Sequence, residues 1–216
     1  MAERVRAVRA RVHAVAAGRP VELVAVTKGF GPEAISAAAA AGCTAVGENY
    51  AQELLAKRDA LAATGLDVHF IGRLQANKVR QLADVVDVWE SIDRARLVDE
   101  LARRAPGARI LVQVAADDAG GAKGGCQPDE VARLVGAATA AGLHVEGLMT
   151  VGPTTGGPEA ARPCFRTVKA LADELGLSTC SMGMTADLEV AIEEGSTRVR
   201  VGTAIFGVRG RSDLLR

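Results

Sequence analysis

The sequence predicts an α/β chain closed into a (β/α)8 TIM barrel, a single domain over residues 1–216 with an extra N-terminal helix. Three observations predict it. From Val21 onward, apolar runs alternate with helical patterns to give eight strands with seven helices between them, and such alternation implies parallel pairing. Several of the strands are short, nearly continuous apolar runs, as strands buried on both faces should be. The competing open, doubly wound sheet carries a Gly-x-Gly-x-x-Gly turn after its first strand, and none follows Thr27.

The elements follow in order. Val5, Val8, Val12 and Val15 form one stripe, which predicts a first helix covering the barrel base. Glu3 breaks the acid-poor pattern of a transit peptide, and no apolar h-region of a secretory signal is present. Val21–Thr27 reads as the first strand, and Pro32–Ala41 as a helix with proline at its start. Strands at Ala45–Glu48, Val68–Ile71 and Val85–Ser91 alternate with helices at Tyr50–Ala63, Gln75–Ala83 and Arg94–Arg104. Arg109–Ala115 is the fifth strand, followed by a Gly-rich loop and a helix over Pro128–Ala141. His144–Thr150 and Ser178–Ser181 are strands, with a helix over Glu159–Leu175 between them. A helix over Ala186–Glu194 and a strand over Val199–Gly202 complete the set before a short tail.

Bulk properties exclude several classes. The net charge is zero and neither half is strongly basic, so no electrostatic footprint for nucleic acid exists. No apolar run approaches membrane-spanning length. Cys43, Cys126, Cys164 and Cys180 are scattered, with no metal knuckle or redox pair, which fits reduced thiols in a cytoplasmic protein.

In a barrel of this kind the chemistry lies at the C-terminal ends of the strands. There the first strand delivers Lys28, followed by Gly29 and Gly31. Alone, such a lysine is most simply a solvated strand end. The loops after strands seven and eight change that reading. One is Ser181-Met182-Gly183-Met184-Thr185 and the other opens Gly202-Thr203. Loops in those two places commonly bind phosphate, because glycines let backbone N–H groups approach an anion and a helix N-terminus adds its positive end. The plainer alternative makes the glycines turn residues and Thr185 an N-cap.

A phosphate cradle together with a strand-end lysine suggests a phosphorylated aldehyde held as a Schiff base. Pyridoxal 5′-phosphate is the obvious candidate, since it needs an imine-forming lysine, a phosphate anchor and a partner for its pyridine nitrogen. A partly dry, cation-containing pocket favours the free amine that a lysine needs for this bond. Arg200 alternates with Val199 and Val201 and is the candidate nitrogen partner. An arginine there discourages protonation of that nitrogen and makes a weaker electron sink. Arg198 points the same way two residues lower and reads as a charged barrel-base or surface residue. The phosphate loops alone also fit a sugar-phosphate enzyme that uses Lys28 for an aldolase-type imine.

The stretches VAVTKGFGPEAI, VGENYAQEL, HFIGRLQANK, SIDRARL, VEGLMTVGP, CSMGMTADLEVAI and VRVGTAIFG run in order from Val24 to Gly207. They resemble the pyridoxal-phosphate homeostasis proteins, a family that itself resembles the barrel domain of alanine racemase. The resemblance implies the cofactor on Lys28, phosphate contacts from Ser181, Met182, Gly183, Gly202 and Thr203, and Arg200 near the pyridine nitrogen. It also implies that Asn49 and Met149 line the cofactor, and that the protein is a monomer. Two departures stand out. In Asp117–Gly125 the Lys123-Gly124 element is kept while the acidic residues come earlier than the family pattern has them, and Thr185 replaces a more usual serine.

Two functions follow. One is a carrier that holds pyridoxal phosphate reversibly and hands it to apoenzymes. The other is a cofactor-dependent enzyme, such as an amino-acid racemase, that takes free amino acids and uses Tyr50 as a second group. The carrier is favoured, because no convincing catalytic partner for Lys28 is visible and no tyrosine-bearing β-domain follows the barrel.

Overall fold

The computed structural model describes residues 1–116 and 123–207. Its strands are β1 (Glu22–Val26), β2 (Ala45–Glu48), β3 (Asp67–Phe70), β4 (Val88–Ile92), β5 (Arg109–Gln113), β6 (His144–Met149), β7 (Thr179–Ser181) and β8 (Arg198–Val201). They pair in parallel in sequence order and close as a barrel, β8 returning to β1. The helices are α1 (Ala2–Ala16), α2 (Glu33–Ala40), α3 (Ala51–Ala56), α4 (Arg58–Ala62), α5 (Val79–Leu82), α6 (Ala95–Arg104), α7 (Val131–Ala140), α8 (Arg162–Glu174), α9 (Leu188–Glu193) and α10 (Thr203–Phe206). Short 3₁₀ turns at Ala76–Lys78, Pro128–Glu130 and Pro158–Ala161 lead into α5, α7 and α8.

Alternation along each strand makes two cores. Ala25, Val46, Phe70, Trp89, Val112, Leu148, Cys180 and Val199 face the helices in one apolar cluster. The opposite parity enters the barrel, where the register aligns Val24 with Ala45 and Arg200. Apolar residues fill only part of that interior. Glu22, His69, Glu90, Ser181, Arg198 and Arg200 share the rest through one another's hydrogen bonds and ion pairs.

The N-terminal helix is present, but it does not cover the barrel base. Its Val5, Val8, Val12 and Ala16 are buried against the barrel wall. Arg9 donates to Gly42 O at 2.6 Å beyond α2, and Arg19 donates to Ile192 O at 2.6 Å in α9. So α1 packs against α9 and the one-turn α10 and reaches across to the end of α2, on the outside of the barrel where β8 meets β1. Arg198 is not a surface residue. It is buried within the barrel at base level, between Glu22, Glu90 and Glu146. The helix expected over Tyr50–Ala63 is two helices, broken at Lys57. The helix expected from Ala186 starts at Leu188, because Asp187 Oδ1 accepts the Met184 N–H at 2.6 Å and tightens the preceding loop. Among the described residues no helix is long and apolar enough to cross a membrane.

Candidate functional site

The C-terminal mouth of the barrel opens into a cavity of about 930 Å3. Lys28, Asn49, Tyr50, Arg73, Lys123 and Arg200 are among its lining residues, and none of those residues is an aspartate or glutamate.

Lys28 stands at a turn closed by the Phe30 N–H on Thr27 O at 3.1 Å. Gly29 has φ 74, the left-handed conformation that the third residue of a type II turn requires. Both backbone groups flanking Lys28 are held by side chains from the next strand–helix unit. Glu53 Oε2 accepts the Gly29 N–H at 2.7 Å, and Lys57 Nζ donates to Thr27 O at 2.8 Å. Lys57 is in turn held by Glu48 Oε1 at 2.6 Å, which also accepts from Thr27 Oγ1 at 2.6 Å. Lys57 and Glu48 are both buried. Burial, the largest influence, pushes the Glu48 carboxyl above its ordinary range, and Lys57 draws it back only in part. The break between α3 and α4 falls at Lys57, whose side chain turns inward to this pair.

Across the mouth the loops after β7 and β8 meet. The Arg200 N–H donates to Gly183 O at 3.0 Å, and Thr185 Oγ1 accepts the Ala204 N–H at 3.4 Å. Among the described residues, the amides of Gly183, Gly202 and Thr203 reach no protein acceptor. Glycine at 183 is also a packing requirement, since a Cβ there would lie 2.5 Å from the Ala191 Cβ.

Arg200 is buried, donating to Ser181 O at 2.7 Å, Ser181 Oγ at 2.6 Å and Thr150 O at 2.7 Å. Burial pushes its guanidinium below the ordinary arginine value. Beneath it, Glu90 Oε2 accepts from Ser181 Oγ at 2.6 Å, and Glu90 Oε1 lies 2.6 Å from His69 Nδ1. Burial raises the Glu90 carboxyl, but the His69 hydrogen bond and the electrostatic pull of His69, Arg200 and Arg198 outweigh it and bring the pKa down to about 2. Burial also pushes the Cys126 and Cys180 thiols up to about 11, so neither is a thiolate nucleophile near neutral pH.

Of the residues singled out from the sequence, Lys28, Asn49 and Arg200 line one cavity. Asn49 brings a buried Oδ1 with no hydrogen-bond partner among the described residues. Gly183, Gly202 and Thr203 form the opposite loops. Met149 is buried at the end of β6, and the Met182 side chain packs in the outer apolar cluster, away from the mouth. The Ser181 hydroxyl is engaged between Glu90 and Arg200. Residues 117–122 of the Asp117–Gly125 loop lie outside the described residues, while Lys123 lines the cavity and donates to Gly152 O at 2.7 Å. Sequence reasoning passed over Glu53, Lys57 and the role of Glu90. Leu54, Lys57 and Leu61 fall on one helical stripe and all three are buried, which is the signal that marks Lys57 as inward-facing.

An eight-stranded barrel with a strand-end lysine and a two-loop amide cradle at its mouth defines a class, that of the alanine racemase N-terminal domain, whose family model matches residues 1–210. Within that class the chain belongs to the pyridoxal phosphate homeostasis protein family. It is 41% identical over 198 residues to the Aquifex aeolicus pyridoxal phosphate homeostasis protein, covering 87% of each chain. The Pseudomonas aeruginosa protein of the same name is 38% identical over 221 residues, covering 97% of this chain and 96% of that one. Among solved structures, PipY of Synechococcus elongatus without PLP superposes with a TM-score of 0.84 at 30% identity, over 96% of this chain and all (100%) of that one. PipY with PLP bound gives 0.81 at 29% identity, over 95% and 99%. A lysine decarboxylase from Selenomonas ruminantium shares the fold alone, at 19% identity with a TM-score of 0.71, over 94% of this chain and 61% of that one.

Proposed function

We propose that this chain holds pyridoxal 5′-phosphate reversibly on Lys28, serves its homeostasis inside the cell and passes it to apoenzymes. The observation that carries the reading is the one cavity shared by Lys28, Asn49 and Arg200, with amides on the opposite loops that have no acceptor among the described residues. These groups fit the cofactor. The amides of Gly183, Gly202 and Thr203 are donors for a phosphate. Asn49 Oδ1 is a buried acceptor in want of a donor. When bound, the cofactor supplies an electrophilic carbon for a lysine amine and an electron-withdrawing ring.

The chain's own residues do the rest. Lys57 and Glu53 fix the backbone on both sides of Lys28, so its amine is presented from a rigid turn. Arg200, fixed by Ser181 and Thr150, sets a positive charge at the cavity floor and opposes protonation of a ring nitrogen beside it. The Ser181 hydroxyl serves Arg200, leaving phosphate binding to the backbone. The relatives named for pyridoxal phosphate homeostasis and the PLP-bound PipY support the reading.

The test is absorbance of the purified protein incubated with pyridoxal phosphate, followed by mixing with an apoenzyme. The wild type should develop a band near the visible edge and restore apoenzyme activity, and Lys28→Ala should do neither. An identical spectrum for the two proteins would refute the site. Tyr50 lines the same cavity and is 53% exposed, which keeps a racemase-like reading testable. Exchange of amino-acid α-protons in deuterated water at about one per second or faster would favour an enzyme.

A further inference from the structure

Among the described residues, six cations line the mouth cavity: Lys28, Arg73, Lys78, Arg94, Lys123 and Arg200. Four of them are engaged. Arg200 donates to Ser181 and Thr150, Lys123 to Gly152 O, and Arg94 to Leu74 O at 2.8 Å while pairing with Asp93. Lys28 also has a partner of its own. Among the described residues, Arg73 and Lys78 donate to no carbonyl and pair with no carboxylate.

Both stand on a fixed backbone. The Ile71 N–H donates to Glu48 O at 2.9 Å, and Gly72 packs so closely that a Cβ there would lie 1.9 Å from Asn49 O. Leu74 is buried and its carbonyl is taken by Arg94. Arg73 thus leaves a segment pinned on either side. Lys78 closes the 3₁₀ turn, its N–H on Gln75 O at 2.9 Å. In the closed ring, β3 stands four strands from β7, so the wall after β3 faces the loop after β7. Lys28, after β1, is midway between those two walls.

We propose that Arg73 and Lys78 form a second anion subsite, which takes the α-carboxylate of a free amino acid brought to the cofactor on Lys28. This rests on the function proposed above. Like charges held in one cavity repel, and an anion between them relieves that cost. Arg73, exposed, and Lys78, half-buried, line the same cavity five residues apart, and a guanidinium with an ammonium on one wall suits a carboxylate. The cofactor's phosphate has the amide cradle on the other wall, so this pair is left for a different anion. A cavity of about 930 Å3 is near the top of the range for drug-sized ligands, and one ring with a phosphate arm leaves room in it.

The test compares L-alanine with ethylamine, the same amine without the carboxylate, on protein loaded with pyridoxal phosphate, at matched free-amine concentrations. In either case the incoming nitrogen bonds to the carbon that Lys28 holds. The bond from that carbon to Lys28 breaks, and the two protons of the incoming amine pass to Lys28 Nζ. The readout is loss of the borohydride-trapped mass on Lys28. In the wild type, alanine should release Lys28 at concentrations about tenfold or more below ethylamine, as expected for charge-assisted contacts. In Arg73→Gln/Lys78→Gln that advantage should vanish. The same alanine-to-ethylamine ratio in both proteins would overturn the proposal. A second measurement needs no cofactor: acetate titrated into cofactor-free wild type should shift the Arg73 Nε–H and Lys78 side-chain resonances, and unmoved resonances would overturn it. If the wild type holds no adduct on Lys28, the function proposed above fails, and the acetate titration decides the subsite by itself.

Discussion

The two ends of the barrel interior are built from the same residue types and treat them oppositely. At the base, among the described residues, the buried Arg198 and the half-exposed Arg109 both have carboxylates. Arg198 reaches Glu22 at 2.5 Å, Glu90 at 3.4 Å and Glu146 at 3.5 Å, and Arg109 pairs with Glu146 and Asp67. At the mouth, Arg200 and Lys123 donate to carbonyls, Arg200 lies 3.8 Å from Glu90, Arg94 pairs with Asp93, and Arg73 and Lys78 donate to nothing among the described residues, none of which brings an acid to the cavity lining. The base cations are matched by carboxylates, whereas Arg73 and Lys78 at the mouth have none among the described residues. Cations without a carboxylate beside a cavity are what a site for an anionic ligand requires.

Breaking the closed end should have the largest effect. Glu90→Gln removes the carboxylate shared by His69, Ser181 and Arg198 and leaves buried positive charge uncompensated, at a cost of about 3–5 kcal/mol in denaturant unfolding. The pH dependence carries its own sign. The folded pKa of Glu90 is about 2 against an ordinary 4.5, so its contribution is fully present above pH 4.5 and is lost as pH falls toward 2. Stability of the wild type should therefore fall more steeply than that of the variant across this window.

Lys57→Met comes next, at about 3 kcal/mol, because it leaves Glu48 buried without its ammonium and frees Thr27 O. Unlike Glu90→Gln, it should also loosen the mouth, read as faster hydrogen exchange of the Phe30 amide. Gly72→Ala forces a methyl onto Asn49 O and should cost about 2 kcal/mol while weakening binding of pyridoxal phosphate. Glu53→Ala removes one acceptor from a part-buried amide and should cost about 1 kcal/mol, with its effect concentrated in Gly29 exchange. Equal effects of Lys57→Met and Glu90→Gln on Phe30 exchange would erase the contrast between the two ends.

The fold was legible because barrel strands are apolar runs punctuated by glycine and proline, and these mark positions such as Pro32 and Gly202 directly. Lys28 and Arg200 were legible for the same reason, being polar groups at fixed places relative to apolar strands. What escaped depended on partners distant in sequence. Lys57 reads as a solvated helix lysine until Glu48 and Thr27 O are beside it, and the helix breaks there because the buried pair outweighs helix propensity. Arg198 reads as a base or surface charge until Glu22, Glu90 and Glu146 surround it. The place of α1 depended on contacts with α9 and α10 at the far end of the chain, which no local pattern records.

The most direct measurement is peptide mass spectrometry of the protein loaded with pyridoxal phosphate and reduced with borohydride. A mouth organised around the turn at Thr27–Phe30 predicts the adduct on Lys28. An adduct on Lys78 or Lys123 instead, or none, would contradict it.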